Sequence, residues 1–210
     1  MGSSVKVLVL AGKYPYPPQD GHSLRIYNLM ANLSKDVTFD LLTIANAAMP
    51  QRSTEAIQRL GGSCREIELV PSETVRILQL TSWEKMVNLF SPHEFSVGGS
   101  YSDAVAVHVR ALLAKSKYDL VFCCGLYEFL SARREIGSLP CLVDLVDSMS
   151  LWHYSRLLYE PHLGRRVQKY MDYIWTKRYE AIHCSKAKNI TLVAPLDRAY
   201  IARSCPNSRA

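Results

Sequence analysis

The strongest constraint in the sequence is an alternation of apolar runs with amphipathic stretches. The first run, VKVLVLAG at 5–12, is a continuous series of β-branched residues and leucine, typical of a strand buried on both faces. Further strands are predicted at 37–45, 64–70, 118–125, 140–148 and 189–195. Strands that alternate with helices predict an α/β fold, a Rossmann-like, doubly wound, mainly parallel sheet with helices on both faces.

The helices predicted between these strands follow from apolar residues at helical spacing. Ser23 is a candidate N-cap for the first helix. In the last long helix, Trp175, Tyr179 and Ile182 predict a core stripe, and Glu180 is expected to be structural or on the surface. Helices are predicted at 23–35, 54–62, 73–90, 101–116, 127–137 and 149–186, the last with a break at Pro161.

Composition excludes several classes of protein. The chain is 48% hydrophobic and 21% charged, which is typical of globular domains. No apolar run approaches the ~20 residues of a membrane helix, and the first residues do not form a secretory signal. The six cysteines show neither C-x-x-C nor metal-ligand spacing. We therefore predict no metal site, and the cysteines favour a reducing, cytoplasmic setting.

The positive charge is concentrated at one end of the chain. Residues 151–210 hold 11 Lys and Arg against 4 Asp and Glu, whereas residues 1–150 hold 14 against 15. One interpretation is a solvated basic helix face. The other is contact with phosphates or with the anionic inner face of a membrane, which would make the protein peripheral there. No nucleic-acid partner is predicted.

Ligands of doubly wound sheets bind beyond the carboxyl ends of the strands, so the loops after each strand are the candidate sites. The first loop and helix, KYPYPPQDGHSLRIYNLM at 13–30, lack the dinucleotide and P-loop glycine patterns. Gly21 and His22 precede the predicted helix, where backbone N–H groups favour an anion, and Arg25 lies one turn further in. The alternative is that Gly21 is a turn residue and His22 a solvated cap.

A second candidate is DLVDSMSLWHYSR at 144–156. Asp144 and Asp147 end an otherwise apolar strand, and a buried carboxylate needs a partner or a function. A carboxylate here suits a general base or a ligand of sugar hydroxyls. The alternative is that Ser148 or Asp147 caps the following helix.

A third candidate is CCGLYEF at 123–129. Gly125 turns the chain out of its strand, so that Tyr127 and Glu128 would face the same crevice. The alternative is polarity at a helix start, with Tyr127 packed on the core. Neither interpretation is favoured by the residues alone.

These segments together resemble the N-terminal half of a GT-B glycosyltransferase, and more narrowly the GT4-type bacterial enzymes of exopolysaccharide synthesis. VKVLVLAGKYPYPPQDGHSLRIYNLMANLSKDVTFDLLTIA looks like the opening strand, proline-rich glycine loop, helix and second strand of that family. PCLVDLVDSMSLWHYSR and RYEAIHCSKAKNITLVAPLDRAYI look like two later segments. The resemblance covers nearly the whole chain, and its specificity comes from the order and spacing of the motifs.

The resemblance implies a retaining, metal-independent transfer of a sugar from a nucleotide-sugar donor to a saccharide or lipid-linked acceptor, without a cofactor. It places Gly21 and His22 at the donor diphosphate, although the family more often has paired glycines there. It places Asp147 near the transferred sugar as the catalytic residue, with Asp144 and Ser148 as the alternatives for that position. The residues that it assigns to the acceptor are Tyr14, Arg25, Tyr127, Asp144 and Ser148.

The family carries its nucleotide-sugar site mostly in a second domain, which has a Glu-x7-Glu motif. We expect residues 1–210 to be the acceptor-side domain only, with the donor domain absent and the chain inactive by itself. Two alternatives are a non-catalytic α/β binding module and a Rossmann-type oxidoreductase. The missing glycine fingerprint argues against the oxidoreductase.

Overall fold

The computed structural model describes residues 4–34, 36–45, 60, 63–72, 76–77, 83, 100–101 and 103–205. The predicted helix 54–62, except residue 60, and the loop 46–52 lie outside the described residues, as does most of 73–100. The strands are β1 (Val5–Ala11), β2 (Val37–Ala45), β3 (Cys64–Pro71), β4 (Arg76–Ile77), β5 (Ser100–Tyr101), β6 (Leu120–Cys123), β7 (Cys141–Val146) and β8 (Ile190–Leu192). The helices are α1 (Gly21–Ala31), α2 (Asp103–Lys115), α3 (Leu126–Ile136), α4 (Met149–Leu158), α5 (Leu163–Cys184) and α6 (Pro195–Ser204).

Six strands form one sheet in the order β3-β2-β1-β6-β7-β8, and β4 pairs with β5 separately. The pairs β3–β2, β2–β1, β1–β6 and β6–β7 are parallel. Val9 of β1 lies opposite Leu41 of β2 and Phe122 of β6. β1 is buried from Val7 to Ala11, as its apolar sequence predicts for a central parallel strand. The predicted α/β, Rossmann-like fold is confirmed.

The chain divides into two compact units. Unit one comprises 1–76 and 101–143, and unit two comprises 77–100 and 144–210. The core of unit one is built from β1, β2, β3 and α1, with Phe39 and Leu41 fully buried. The buried apolar residues of unit two include Leu157, Trp175, Tyr179, Cys184, Ile190 and Ile201.

The long helical region breaks around Pro161, as predicted, because α4 ends at Leu158 and α5 begins at Leu163. The predicted core stripe of α5 is only partly correct. Trp175 and Tyr179 are buried, but Ile182 is 40% exposed. The buried face continues instead from Tyr179 to His183, four residues later, and the centroids of these two tilted rings lie 4.5 Å apart. None of the described helices is both long enough and apolar enough to span a bilayer.

A buried ion pair connects the start of β1 to β2. The Nζ of Lys6 lies 3.1 Å from the Oδ2 of Asp40, and these side chains are only 14% and 3% exposed. The hydroxyl of Tyr118 donates to the same Oδ2 at 2.8 Å, and the Lys6 ammonium lies 4.6 Å from the Tyr118 ring centroid. Because the Asp40 carboxylate has little access to water, its stability in the folded protein depends on these two partners.

We expect Lys6→Met to lower the free energy of unfolding by about 3–5 kcal/mol, because it leaves the Asp40 carboxylate buried without its cation. Denaturant unfolding followed by circular dichroism measures this loss. Lys13→Met is the matched control, because the Lys13–Asp20 pair is 74% and 43% exposed and should contribute about 0–1 kcal/mol. A Lys6→Met loss no larger than that of the control would contradict the prediction.

Candidate functional site

In unit one, the candidate site lies where β1 and β6 end side by side. The parallel pairing continues past β6, because the N–H of Cys124 donates to the carbonyl of Leu10 at 2.8 Å. On one side of β1 lies β2, the next strand in the chain, and on the other side lies β6, a much later one. The strand order therefore reverses between β1 and β6, and this is where doubly wound sheets open a crevice for ligands.

The carboxylate of Glu128 occupies this reversal point. Glu128 lies in the first turn of α3, and its carboxylate accepts hydrogen bonds from the N–H of Gly12 and from its own N–H. A Cβ added at Gly12 or at Gly125 would overlap a carboxylate oxygen of Glu128. Gly125 also has a φ of +150°, which side chains rarely adopt. A side chain at either position would therefore displace this carboxylate from its present place.

The environment of Glu128 brings its titration close to neutral pH. Burial raises the pKa of the carboxyl group to about 7, against the opposing effect of the two N–H donors. A carboxyl group that gains and loses a proton near neutrality suits general acid or base chemistry. In this structure, its proton also sets the strength of the contact that holds Gly12, the first residue of the β1–α1 loop.

The start of α1 differs from the prediction. The N-cap is Asp20 rather than Ser23, and Gly21 and His22 are the first two helical residues. The Oδ1 of Asp20 accepts the N–H of Ser23 at 2.8 Å, and the Ser23 hydroxyl accepts the N–H of Asp20 at 3.1 Å. Sequence reasoning chose the wrong member of this reciprocal pair, because aspartate and serine both cap helices well.

The cap decides which donors α1 can offer to an anion. The hydrogen bonds from Ser23 are the main reason that the pKa of Asp20 falls to about 2, so its carboxylate is charged throughout the neutral range. No described residue accepts a hydrogen bond from the N–H of Gly21 or His22. Gly21 is exposed, and a Cβ added to it would meet no atom within 4 Å. These two N–H groups remain the donors available at the helix start.

The other predicted residues of unit one are all partly buried. Tyr14 packs against the core cluster, Arg25 lies in the second turn of α1, and Tyr127 is the second residue of α3. Tyr14 follows β1 and Tyr127 follows β6, so both come after the carboxyl ends of adjacent strands. Sequence reasoning also named Glu128 beside Tyr127, but it did not identify Gly12 as its partner.

In unit two, Asp144 is fully buried and its role in the structure is clear. Its Oδ1 accepts a hydrogen bond from the hydroxyl of Thr191 at 2.8 Å, which connects the second half of β7 to β8. The backbone continues this connection, because the N–H of Val193 donates to the carbonyl of Val146 at 2.9 Å. Asp144 therefore has the partner that its burial requires.

Asp147 follows a strained turn and is exposed. Among the described residues, Val146 is the one non-glycine residue with a positive φ, at 64°. The N–H of Asp147 donates to the carbonyl of Leu145 at 2.8 Å, so Leu145–Asp147 close a γ-turn. A β-branched residue in this conformation is unfavourable, and such strain concentrates at functional positions. The turn ends β7 and leaves the Asp147 side chain facing solvent.

Ser148 caps α4, as the alternative interpretation proposed. It is buried, and its hydroxyl accepts the N–H of Leu151 at 3.2 Å and donates to Glu180 at 3.1 Å. Its own N–H donates to Asp197 at 2.9 Å. The hydroxyl and the N–H of Ser148 thus form their hydrogen bonds with residues of unit two, and the hydroxyl does not face solvent.

Glu180 was expected to be structural or on the surface, and in the structure it is structural. It is 3% exposed, and its carboxylate accepts the N–H of Met149 at 2.6 Å, the N–H of Ser150 at 3.3 Å and the hydroxyls of Ser148 and Ser150. Burial raises its pKa, and these donors oppose the rise. An internal carboxylate thus fills the start of α4, where a bound anion would otherwise be favoured.

Comparisons with known proteins add to this geometry. No protein-family model and no curated protein matches the sequence. The structure is similar to sucrose-phosphate synthase from Thermosynechococcus elongatus, with a TM-score of 0.56 and 13% identity over 98% of this chain and 46% of that one. It is also similar to Medicago truncatula UGT71G1 complexed with UDP-glucose, with a TM-score of 0.49 and 14% identity over 94% of this chain and 48% of that one.

The first likeness shows the fold. This chain spans about half the length of each of these two structures, and it has the fold of one Rossmann-like half of a GT-B glycosyltransferase.

Among the described residues, no group of three or more His, Cys, Asp and Glu side chains is placed to hold a metal ion.

We expect the stability of the protein to fall by up to about 3 kcal/mol from pH 4.5 to pH 7 through Glu128 alone. Its pKa rises from 4.5 to about 7 on folding, so the folded state holds a proton that the unfolded state has lost. Glu128→Gln cannot ionise. Its free energy of unfolding relative to wild type should therefore increase between pH 5 and pH 8.

Glu135→Gln on the same helix is the control, because a hydrogen bond from Arg110 lowers the pKa of Glu135. Glu135 is ionised in both states above pH 5, so the difference between this variant and wild type should stay constant from pH 5 to pH 8. Urea unfolding across that range measures both variants. Parallel curves for Glu128→Gln and wild type would overturn the assignment.

We expect Val146→Gly to change stability by less than about 0.5 kcal/mol, because relief of the left-handed conformation offsets the usual cost of glycine. Val193→Gly, at a residue that is 54% exposed and not in that conformation, should cost about 1 kcal/mol. Thermal unfolding compares the two. A larger loss for Val146→Gly than for Val193→Gly would show that the turn is not strained.

Proposed function

We propose that this chain is the acceptor-side half of a nucleotide-sugar-dependent glycosyltransferase of the GT-B type. The observation that carries the proposal is the likeness of 98% of the chain to a part of sucrose-phosphate synthase. The proposal includes the finer assignment to a GT4-type, retaining, bacterial enzyme of polysaccharide synthesis that transfers a hexose. It needs no cofactor, because the activated donor supplies the leaving group.

In this proposal, Asp147 is the catalytic residue. It is an exposed carboxylate at the carboxyl end of β7, presented by the γ-turn at Val146. It binds hydroxyls of the transferred sugar or accepts the proton of the acceptor hydroxyl. The acceptor oxygen then bonds to the anomeric carbon on the face from which the diphosphate departs, so that the configuration is retained. The bond from that carbon to the diphosphate breaks, the acceptor proton passes to Asp147 or to the departing diphosphate, and the nucleoside diphosphate leaves.

The donor diphosphate is assigned to the start of α1. The N–H groups of Gly21 and His22 supply donors at the positive end of the helix dipole, and the imidazole adds a further donor. The charged carboxylate of Asp20 beside them accepts a hydrogen bond from the N–H of Ser23. Only the first two N–H groups of the helix are therefore available to a phosphate, which restricts its position to the tip of the helix.

The acceptor is assigned to Tyr14, Arg25 and Tyr127, and we propose a saccharide, either lipid-linked or a growing polysaccharide. Asp144 and Ser148, which the resemblance also assigned to the acceptor, are buried and hydrogen-bonded within unit two. We therefore propose that these two are positioning residues, which hold β7 and α4 on either side of Asp147.

Saccharide binding tests the proposal directly. We expect saturation-transfer NMR to detect weak binding of saccharides by the chain, and Asp147→Asn to weaken it about tenfold through loss of a charge-assisted hydrogen bond. Asp36→Asn is the matched control, because Asp36 is also exposed but precedes β2, at the amino edge of the sheet. Binding that is equally sensitive to both changes, or to neither, would contradict the role of Asp147.

Two further measurements separate the alternatives. The chain alone should give no turnover of nucleotide sugars, because GT-B transfer requires both halves, and steady sugar transfer by it would contradict the two-domain assignment. Titration with a nicotinamide dinucleotide should produce no binding. Saturable dinucleotide binding that displaces saccharides would favour an oxidoreductase instead.

A further inference from the structure

At the turn between α4 and α5, a charged side chain is buried and its apolar neighbours are exposed, which is the opposite of the usual arrangement at a protein surface. Glu160 is buried at 8% exposure, whereas its neighbour Tyr159 is 85% exposed. The Glu160 carboxylate accepts the N–H of His162 at 3.2 Å and pairs with Lys169 on α5. Leu163, the first residue of α5, is 78% exposed. The charged residue is therefore held inside, and the apolar ones are held outside.

The apolar exposure continues along α5 with helical spacing. Leu163, Val167, Tyr170 and Met171 are separated by four, seven and eight residues from the first, so they share one face of the helix. Their exposed fractions are 78%, 59%, 51% and 40%. We call this set, together with Leu158 and Tyr159, the hairpin face. Large apolar side chains gathered in this way on a water-exposed surface mark an interaction site.

Basic residues accompany the hairpin face. Between 152 and 171, the basic residues are Arg156, Arg165, Arg166 and Lys169, and the one acidic residue is Glu160. Lys169 neutralises Glu160, so the net charge comes from the three arginines. Arg156 also lies 4.6 Å from the ring centroid of Trp152, which is 53% exposed.

We propose that the hairpin face docks on the surface of an anionic lipid bilayer, with α4 and α5 lying in the interface and not crossing it. Apolar side chains on one helix face combined with arginine charges match the composition of interfacial helices. Tyrosine and tryptophan favour the headgroup region, where one end of the ring is apolar and the other wet. The arginines give this surface a positive charge, which complements the negative surface potential of anionic lipids.

Vesicle sedimentation tests the docking. We expect the chain to bind phosphatidylcholine vesicles that contain phosphatidylglycerol, to bind pure phosphatidylcholine vesicles much less, and to dissociate as salt is raised. Leu163→Ser with Val167→Ser should weaken binding at least about tenfold, because two exposed apolar side chains no longer enter the interface. Arg165→Gln with Arg166→Gln should weaken it about 30-fold.

Matched controls exist elsewhere in the chain. Leu196 is 69% exposed and Val107 is 56% exposed, so Leu196→Ser with Val107→Ser removes the same kinds of side chain elsewhere. Lys188→Gln with Arg203→Gln removes two exposed charges from the same basic region. Both controls should stay within about twofold of wild type. All of these positions are exposed, so circular dichroism should show each variant folded.

Two outcomes would overturn the proposal. One is absence of binding to the phosphatidylglycerol vesicles, or binding that the control pairs weaken as much as the hairpin pairs. The other is a concentration-dependent dimer, seen by sedimentation velocity, that Leu163→Ser with Val167→Ser abolishes while vesicle binding is unaffected. The hairpin face would then be a contact between two copies of this chain. Neither outcome depends on saccharide binding, so it leaves the proposed glycosyltransferase function standing.

Discussion

Parallel pairing of β1 with a strand on each side is the constraint on which the candidate site of unit one depends. It brings the carboxyl ends of β1 and β6 together, so that Gly12 and Gly125 are within reach of one side chain from α3. Glu128 fills that position, and a Cβ at either glycine would overlap its carboxylate and displace it. The two glycines and the carboxyl group of Glu128 therefore lie together at the point where the strand order reverses.

Besides Asp20 at α1, two glutamates satisfy the starts of helices, with different consequences. Glu128 accepts its own N–H and that of Gly12, and Glu180 accepts the N–H groups of Met149 and Ser150 at the start of α4. Burial raises the pKa of both, and N–H donors oppose the rise. Because Glu180 already fills the start of α4, we propose the exposed Asp147 as the carboxylate of this region that contacts a ligand.

Much of the fold is predictable from local patterns. The strand–helix order, the break near Pro161 and the cap at Ser148 all follow from residues close together in the chain, because apolar periodicity and capping act over a few positions. The same locality explains the error at α1, where Asp20 and Ser23 are both good caps and only the backbone geometry decides between them. The basic excess of 151–210 was also apparent, but its association with the hairpin face was not.

The sequence by itself determined the α/β class, the candidate loops that follow the strands and the presence of acidic residues at the end of β7. Only the tertiary structure decided what those residues do. The hydroxyl of Thr191 donates a hydrogen bond to Asp144. Glu180, which lies on a helix about thirty positions away in the chain, accepts hydrogen bonds at the start of α4. The pKa of Glu128, at about 7, is likewise raised by burial of its carboxyl group. Desolvation and contacts distant in sequence depend on how the elements pack, and no local pattern encodes them.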